Sequence, residues 1–301
     1  MAGIDLNRTS AGVGAILPKE ISSEIWANAV GESFFMQASR RIALPGSGVT
    51  IPIITGDAEA GWVNETDEKP VSQATVGSKS ITPYKVAVIE LFSNEFRRDL
   101  PALYAELARR LPSAIGRKFD STILNGTAPG SNFDVLTSIP TVALDATDTI
   151  GDLATALTTV AAAGGDVSAW GISPQAEGTI MVAKDGTGNY AFLRDARTDT
   201  GAIGTIFGRD VYKSRALYKN PTNPALDTLG VAGDFANSAV WGSVEGIKID
   251  ISNQATVNKG GTQINLWQRN MFAVLVEAEL GFVVRDNKHF VRLTGAASAD
   301  A

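Results

Sequence analysis

The chain has 301 residues with 26 Lys and Arg against 32 Asp and Glu, a net charge of −6, so an overall cationic footprint for nucleic acid is excluded and any DNA contact must be local. It has no Cys and a single His, His289, which removes thiol nucleophiles, disulfides, zinc–cysteine sites and iron–sulfur clusters, and leaves no means of building a His-based triad or a two-His metal site within the chain. Charged residues are only 19% against 44% hydrophobic, a surface poor enough in charge to expect company.

In chain order, residues 1–15 are small and polar with three glycines and read as a flexible arm. Asp5, Arg8, Lys19 and Glu20 interrupt any apolar core of a secretory signal. Residues 16–38 predict one short helix, with Ile21, Ile25, Ala29 and Val30 at helical spacing after Pro18. RRIALPGSGVTIPIITG follows as a strand broken at residues 45–48. Residues 57–79 hold five acids, two lysines and few aliphatics, a stretch that cannot bury much of itself. Trp62 within it favours an extended arm laid across another molecule over a mobile surface loop, because a lone large aromatic needs a partner surface. The flanking apolar strands, around GVTIPIIT and ITPYKVAVIELF, are expected to pair as the root of that extension.

From residue 93 a helix of unusual length is predicted, capped by Asp99, with Pro101 in its early turn and Asn125 and Gly126 at its end. Leu103, Leu107, Leu111, Ile115, Phe119 and Ile123 repeat every four residues. Since four residues overshoot a turn by about 40°, the stripe winds around the helix and needs different neighbours along its length. Pro112 sets either a bend near residues 108–112 or a break into two helices. GDLATALTTVAAAGGD is an Ala-rich helix closed by Gly164 and Gly165. SAWGISPQAEGTIMVAKDGTGNYAF then reads strand, short helix, loop. GTIFGRDVYKSRAL and GVAGDFANSAVWGS are two strand candidates. The remainder gives two long strands with a turn between them, a further strand and a polar tail from Gly295. KVAVIELF and MFAVLVEAELGFVV, the most apolar stretches, are interrupted by Glu90, Glu277 and Glu279 and read as strands, not membrane spans.

Chemistry-bearing motifs are weak. KDGTGNY has glycines that could cradle phosphate and Asp185 and Asn189 that could touch a cation, but it lacks the Walker lysine-serine ending, the strand–GxGxxG–helix setting and an EF-hand's final Glu, so it reads as a surface turn. His289 has no partner that would make it a catalyst. Glu277 and Glu279 share a strand face, which invites general acid/base work in a carboxylate-dependent hydrolase but reads more simply as a solvated or salt-bridged face. Residues 93–126 carry six basic and four acidic side chains. That surplus lets Arg109, Arg110, Arg117 and Lys118 touch DNA loosely and without sequence preference, with ion pairs to neighbouring helices or subunits as the alternative.

The ordered blocks ILPKEISSEI, GWVNETDEKPVSQATVGSKSITPYKVAVIELFSNEF, KFDSTILNGT, IFGRDVYKSRAL, GDFANSAVWGSVEGIKIDIS and EAELGFVVRDNKHFVRLT resemble the tailed-phage major capsid protein family, over about residues 16–294. The resemblance implies an α+β shell fold of the Hong Kong ninety-seven type. Its parts would be an N-terminal arm and short helix (1–38), a strand and extended loop (39–85), a peripheral domain with the spine helix (86–145), an axial domain (146–245), the long strands of the peripheral domain (246–285) and a return to the axial domain with the tail (286–301). It implies pentamers and hexamers closing an icosahedral shell around double-stranded DNA in a virion assembled in the host cytoplasm. The partners implied are further copies of the chain, a portal protein, a separate scaffolding protein or none, a decoration protein and non-specifically packaged DNA, with no membrane. No catalytic residue, cofactor or metal ligand is assigned, and no Lys–Asn cross-link. Inter-subunit contacts are expected at Trp62, Val63, Glu65, Asp67, Glu68, Lys69 and Val71. The alternative is an encapsulin-type bacterial compartment with the same shell fold.

Overall fold

A computed structural model describes residues 26, 29–54, 60–65, 68, 69, 71, 76–95, 100–145, 148–181, 183, 202–220 and 227–295. The first sheet is built on the longest strand, β14 (Met271–Val284). One edge of β14 pairs antiparallel with β4 (Tyr84–Ser93); the other pairs with β10 (Ala239–Ser243) and then β11 (Lys248–Ser252), while β1 (Arg40–Ala43) lies parallel to β10 at the sheet's edge. Alternation explains the two long strands: Val274, Val276, Ala278, Leu280, Phe282 and Val284 fall on one face of β14 and enter the main core. The two stretches read as strands are thus strands, and partners of each other.

Against that face lies the spine helix α2 (Leu100–Asn125), whose 26 residues run unbroken through Pro112, so the two-helix alternative is discarded. Ile115, Phe119 and Ile123 are buried, and Phe119 meets Phe133 and Phe282 edge-on at 6.1 Å each. The short helix α1 (Phe34–Ala38) starts where the Ser33 hydroxyl accepts the Met36 N–H; residues 29–32 are helical as well, so the one short helix expected within residues 16–38 is interrupted at Ser33, and residues 1–25 lie outside the described residues.

The second sheet has six strands in the order β5 (Thr141–Leu144), β15 (Phe290–Gly295), β9 (Thr228–Gly233), β6 (Ala169–Ile172), β8 (Arg209–Lys213) and β7 (Gly204–Ile206). Helices α3 (Thr149–Ala162) and α4 (Pro174–Met181) cover it, burying Leu153, Ala156, Val160, Ala176 and Ile180 against Trp170, Ile172, Val211 and Leu293. Gly164, at φ +85°, closes α3 as its sequence predicts. Two strand readings are corrected. Residues 204–213 form a hairpin, and residues 228–243 are two strands separated by the short helix α5 (Phe235–Ser238), which carries the chain from the second sheet into the first. The late segment likewise holds, besides β11 and β14, a separate hairpin of β12 (Thr256–Lys259) and β13 (Thr262–Asn265).

One buried carboxylate joins these parts. Asp120 of α2 accepts the Ser33 hydroxyl at 2.6 Å, the Ser214 hydroxyl at 2.9 Å and the N–H groups of Phe34 and Phe35 at 3.0 and 3.3 Å. It thereby caps α1 and holds the loop after β8 to the spine helix. Burial pushes its carboxyl up to about 6, opposed by those four donors. On the opposite side Arg292 of β15 donates to the carbonyls of Leu124 and Leu136, tying the second sheet to the helix end.

Candidate inter-subunit surface

The limb begins at the turn after β1. There Gly48 has φ +82°, a region disfavoured for other residues, and a Cβ on it would meet the Ile81 carbonyl oxygen at 2.5 Å, so the close approach of the two chain segments requires glycine. β2 (Val49–Ile54) then pairs antiparallel with β3 (Val76–Ile81), from Val49 opposite Ile81 out to Ile54 opposite Val76. The expected hairpin root therefore exists with a different second strand: β4, proposed from sequence as the partner of β2, is drawn to β14 by its alternating apolar face. The sequence VGSKSI, counted with the acidic extension, takes its place.

This root is fastened to the body. Ile81 is buried with Leu44, Val240 and Val283, and Val49 and Ile51 pack on that cluster. Gly281 of β14 lets the root come close, since a Cβ there would meet the Ile81 side chain at 2.8 Å. Lys79 donates to Asp134 at 2.6 Å and to the Val284 carbonyl at 2.7 Å, while Asp134 also accepts the Val284 N–H at 2.9 Å.

Beyond the root the described side chains face outward. Trp62 is 105% exposed relative to an extended reference, Val71 95% and Val63 42%. Glu65, Glu68 and Lys69 are exposed as well, and Asp67 lies outside the described residues. Leaving an indole and a valine in water forfeits roughly 25 cal/mol per Å² of the apolar area a partner would cover. Trp62 and Val71 are thus apolar side chains that the described residues leave uncovered.

The proposed DNA-facing cations sit elsewhere. Arg110, Arg117 and Lys118 are exposed on α2. Arg110 and Arg117, seven residues apart, share one face of the helix, and the Arg117 guanidinium also donates to the Ser113 carbonyl at 2.8 Å. Arg109 is helical, but its side chain lies outside the described residues. Arg110 lines an open cleft of about 590 Å³ with Lys259, Ile89 and Phe92, where α2, β4 and the β12–β13 hairpin meet.

Two exposed aromatics were missed from sequence. Trp267 follows β13 at the far end of the first sheet and is 75% exposed. The signal that singled out Trp62, a large aromatic set among polar residues, is present in NLWQRN and would have found it. Phe207 is half-exposed at the β7–β8 turn in the left-handed region, φ +50°, beside Gly208 at φ +75°. The weighed chemical motifs resolve into structure. The buried His289 ring has Nδ1 2.6 Å from the Ser238 hydroxyl and Nε2 3.2 Å from the Ala163 carbonyl. Glu277 and Glu279 flank the Lys85 ammonium at 3.2 and 3.9 Å, the salt-bridged face that the simpler reading expected. Asp185 and Asn189 lie outside the described residues. Among the described residues no helix is long and apolar enough to cross a membrane.

Comparison with known proteins supplies the class. Residues 13–295 match the phage capsid family. The probable major capsid protein gp17 of Mycobacterium phage L5 is 31% identical over 300 residues, covering 95% of this chain and 91% of that protein. Its namesake in Mycobacterium phage D29 is 30% identical, covering 94% and 91%. Among solved structures, a chain from Mycobacterium phage Cain is similar with a TM-score of 0.68 at 22% identity, covering 89% of this chain and 92% of that one. A chain in the capsid of a native GTA particle reaches 0.60 at 14% identity, covering 97% and 95%. The chain belongs to the phage capsid family, and its fold is the Hong Kong ninety-seven type that its sequence blocks resemble. It is a structural component of the virion and not an enzyme, and the encapsulin alternative is not favoured.

Proposed function

We propose that this chain is the major capsid protein of a tailed phage, forming pentamers and hexamers that close an icosahedral shell around double-stranded DNA. The observation that carries this reading is the contrast within the limb, whose root is pinned by Ile81 and Lys79 while Trp62 at its outer part is fully exposed. Trp62, Val63 and Val71 then supply apolar anchors on a neighbouring copy, and Glu65, Asp67, Glu68 and Lys69 supply charge that orients the encounter. Residues 39–85 are the strand and extended loop, α2 and the first sheet form the peripheral part, and the second sheet forms the axial part at the capsomer centre. Many moderate contacts of this kind stabilise a closed shell through multiplicity while each remains reversible, which lets misplaced subunits leave.

The inner wall holds DNA without gluing it. Arg110, Arg117 and Lys118, with Arg109, give a local cationic strip in a chain of net charge −6. So small a surplus engages few phosphates and releases them readily as salt rises. A portal at one vertex, a separate scaffolding protein, a decoration protein and assembly in the host cytoplasm complete the reading. Negative-stain microscopy of the purified recombinant chain tests it: closed particles are expected from the intact chain. A variant lacking residues 59–77 should keep the circular dichroism of a folded subunit and form none. Normal particles from the deletion would refute the role given to the limb.

A further inference from the structure

We propose that the contact between Asp120 and Ser214 is a proton-operated latch between the spine helix and the second sheet, closed by the carboxylate and opened by the neutral acid. The device belongs to the single chain and is independent of how copies assemble. Each carboxylate oxygen of Asp120 receives two donors: Oδ1 the Ser33 hydroxyl and the Phe35 N–H, Oδ2 the Ser214 hydroxyl and the Phe34 N–H. A carboxylate offers about four lone-pair sites, so the ionised group is saturated. Three of its donors come from the start of α1, and one, Ser214, comes from the loop that follows β8. Burial favours the neutral acid and the four donors favour the carboxylate, a balance that brings the exchange between the two forms up to about 6 on the pH scale.

Protonation turns one acceptor position into a donor and leaves one of the four donors without a place. The two N–H groups are fixed by the backbone of α1, so the group that yields is a hydroxyl. Both hydroxyls already accept a main-chain N–H, Ser33 from Met36 at 3.3 Å and Ser214 from Ala216 at 3.4 Å. Either can turn to accept the acid proton, but its own hydrogen then lies in a buried site with nothing to receive it. Ser33 is fully buried at the cap of α1, whereas Ser214 lies between the exposed Lys213 and Arg215, where a small shift of the loop brings its hydroxyl to water. Ser214 is therefore the donor that leaves. The loop stays attached more than a turn further along α2, where the Asn125 side chain donates to the Leu217 carbonyl at 3.3 Å, and it swings on that point. No charged side chain drives the change: Glu32 before α1, Arg117 and Lys118 on α2, and Lys213 and Arg215 beside Ser214 are exposed, and Lys213 is paired with Glu177 at 3.1 Å. The Asp120 carboxyl is displaced by burial, against its four donors.

Hydrogen exchange of the full-length unassembled chain at pH 5 and pH 7, corrected for intrinsic rates, reads the latch. Protection of the amides of residues 214–218 should be lower at pH 5 by at least roughly fivefold, while that of residues 115–123 in α2 should not fall. Tighter proton binding by the folded state raises protection as pH falls, so a loss confined to the loop carries the opposite sign from a change in overall stability. Ser214→Ala removes one hydroxyl and leaves the carboxylate three donors; its loop should exchange at the same corrected rate at both pH values. Ser33→Ala, which deletes the other hydroxyl, should keep the response. Equal protection of residues 214–218 at pH 5 and pH 7 in the wild type overturns the proposal, as does a response that survives Ser214→Ala or one that appears at residues 34–39 in place of the loop.

Discussion

At the junction beneath α1, Asp120 collects four donors from segments that lie 85 to 94 residues away in the chain, and nothing outside the molecule is needed to satisfy it. On the limb, Trp62 and Val71 stand in solvent and Val63 is partly exposed, and among the described residues nothing covers Trp62 or Val71. On the proposed reading the junction is solved by the fold and the limb by assembly. Substitutions at the first should therefore be read in the stability of the unassembled subunit, and those at the second in the yield of particles. Any variant that moves both readouts together weakens the division.

The largest stability effect is expected in the aromatic core next to the junction. Phe282 is fully buried and meets Phe35, Phe119 and Phe133 with ring centroids 5.6 to 6.2 Å apart. Phe282→Ala removes that packing and leaves a cavity, so urea unfolding of the unassembled chain should lose about 3–5 kcal/mol. A loss under about 1 kcal/mol would show that this part of the core is also completed by a partner.

Asp120→Ala comes next. It strands two main-chain N–H groups and two hydroxyls in a buried site, and should cost about 3 kcal/mol at neutral pH in the same measurement. The pH dependence has a definite sign. The carboxyl is held at about 6 in the fold against 3.8 for the ordinary group, so the folded state binds the proton more tightly. Its contribution to stability is complete below pH 3.8 and is lost as pH rises through about 6. The stability gap between the wild type and Asp120→Asn, which cannot titrate, should therefore shrink between pH 4 and pH 7. A gap that widened over that range would mean that the four donors outweigh burial.

How much of this was readable beforehand follows the same division. β4 and β14 were legible because their alternation is strong, α3 because its apolar spacing and closing glycines agree, and α2 because its apolar repeat ends at Asn125; its expected cap, Asp99, lies outside the described residues. The limb was legible as a stretch unable to bury itself. Its root was misassigned because β3, VGSKSI, has little apolar alternation and pairs with β2 at a place where both strands meet solvent. The β7–β8 hairpin was missed because Phe207 occupies a turn position usually held by Asn or Gly. Asp120 gave no signal at all, since a helix-interior Asp declares itself only through partners remote in sequence. Trp267 did give one, and it went unused.

Smaller effects sharpen the boundary between the two regions. Lys79 belongs to the limb by sequence and to the body by contact, donating to Asp134 and the Val284 carbonyl. Lys79→Met keeps most of the side chain's apolar length and deletes the charge. The partly exposed ion pair should be worth about 1 kcal/mol in unfolding, because Asp134 retains its bond from the Val284 N–H. Hydrogen exchange should meanwhile quicken at the amides of residues 76–81 more than anywhere else in the first sheet. If exchange quickens equally across β14, the root is part of the core and not a hinge upon it.

Trp62→Ala is the limiting case. An indole that is fully exposed in the subunit contributes no buried area to it, so the unfolding free energy should change by no more than about 0.5 kcal/mol. In assembly the same substitution removes the largest apolar side chain on the limb, at a contact repeated in every copy, so a modest loss per contact is multiplied over the shell. Light scattering during assembly should show the critical concentration rising several-fold while the melting curve of the unassembled chain stays where it was. A wild-type assembly curve from Trp62→Ala would move the anchoring role elsewhere, and Trp267, 75% exposed in its own fold, is the side chain to which it would pass.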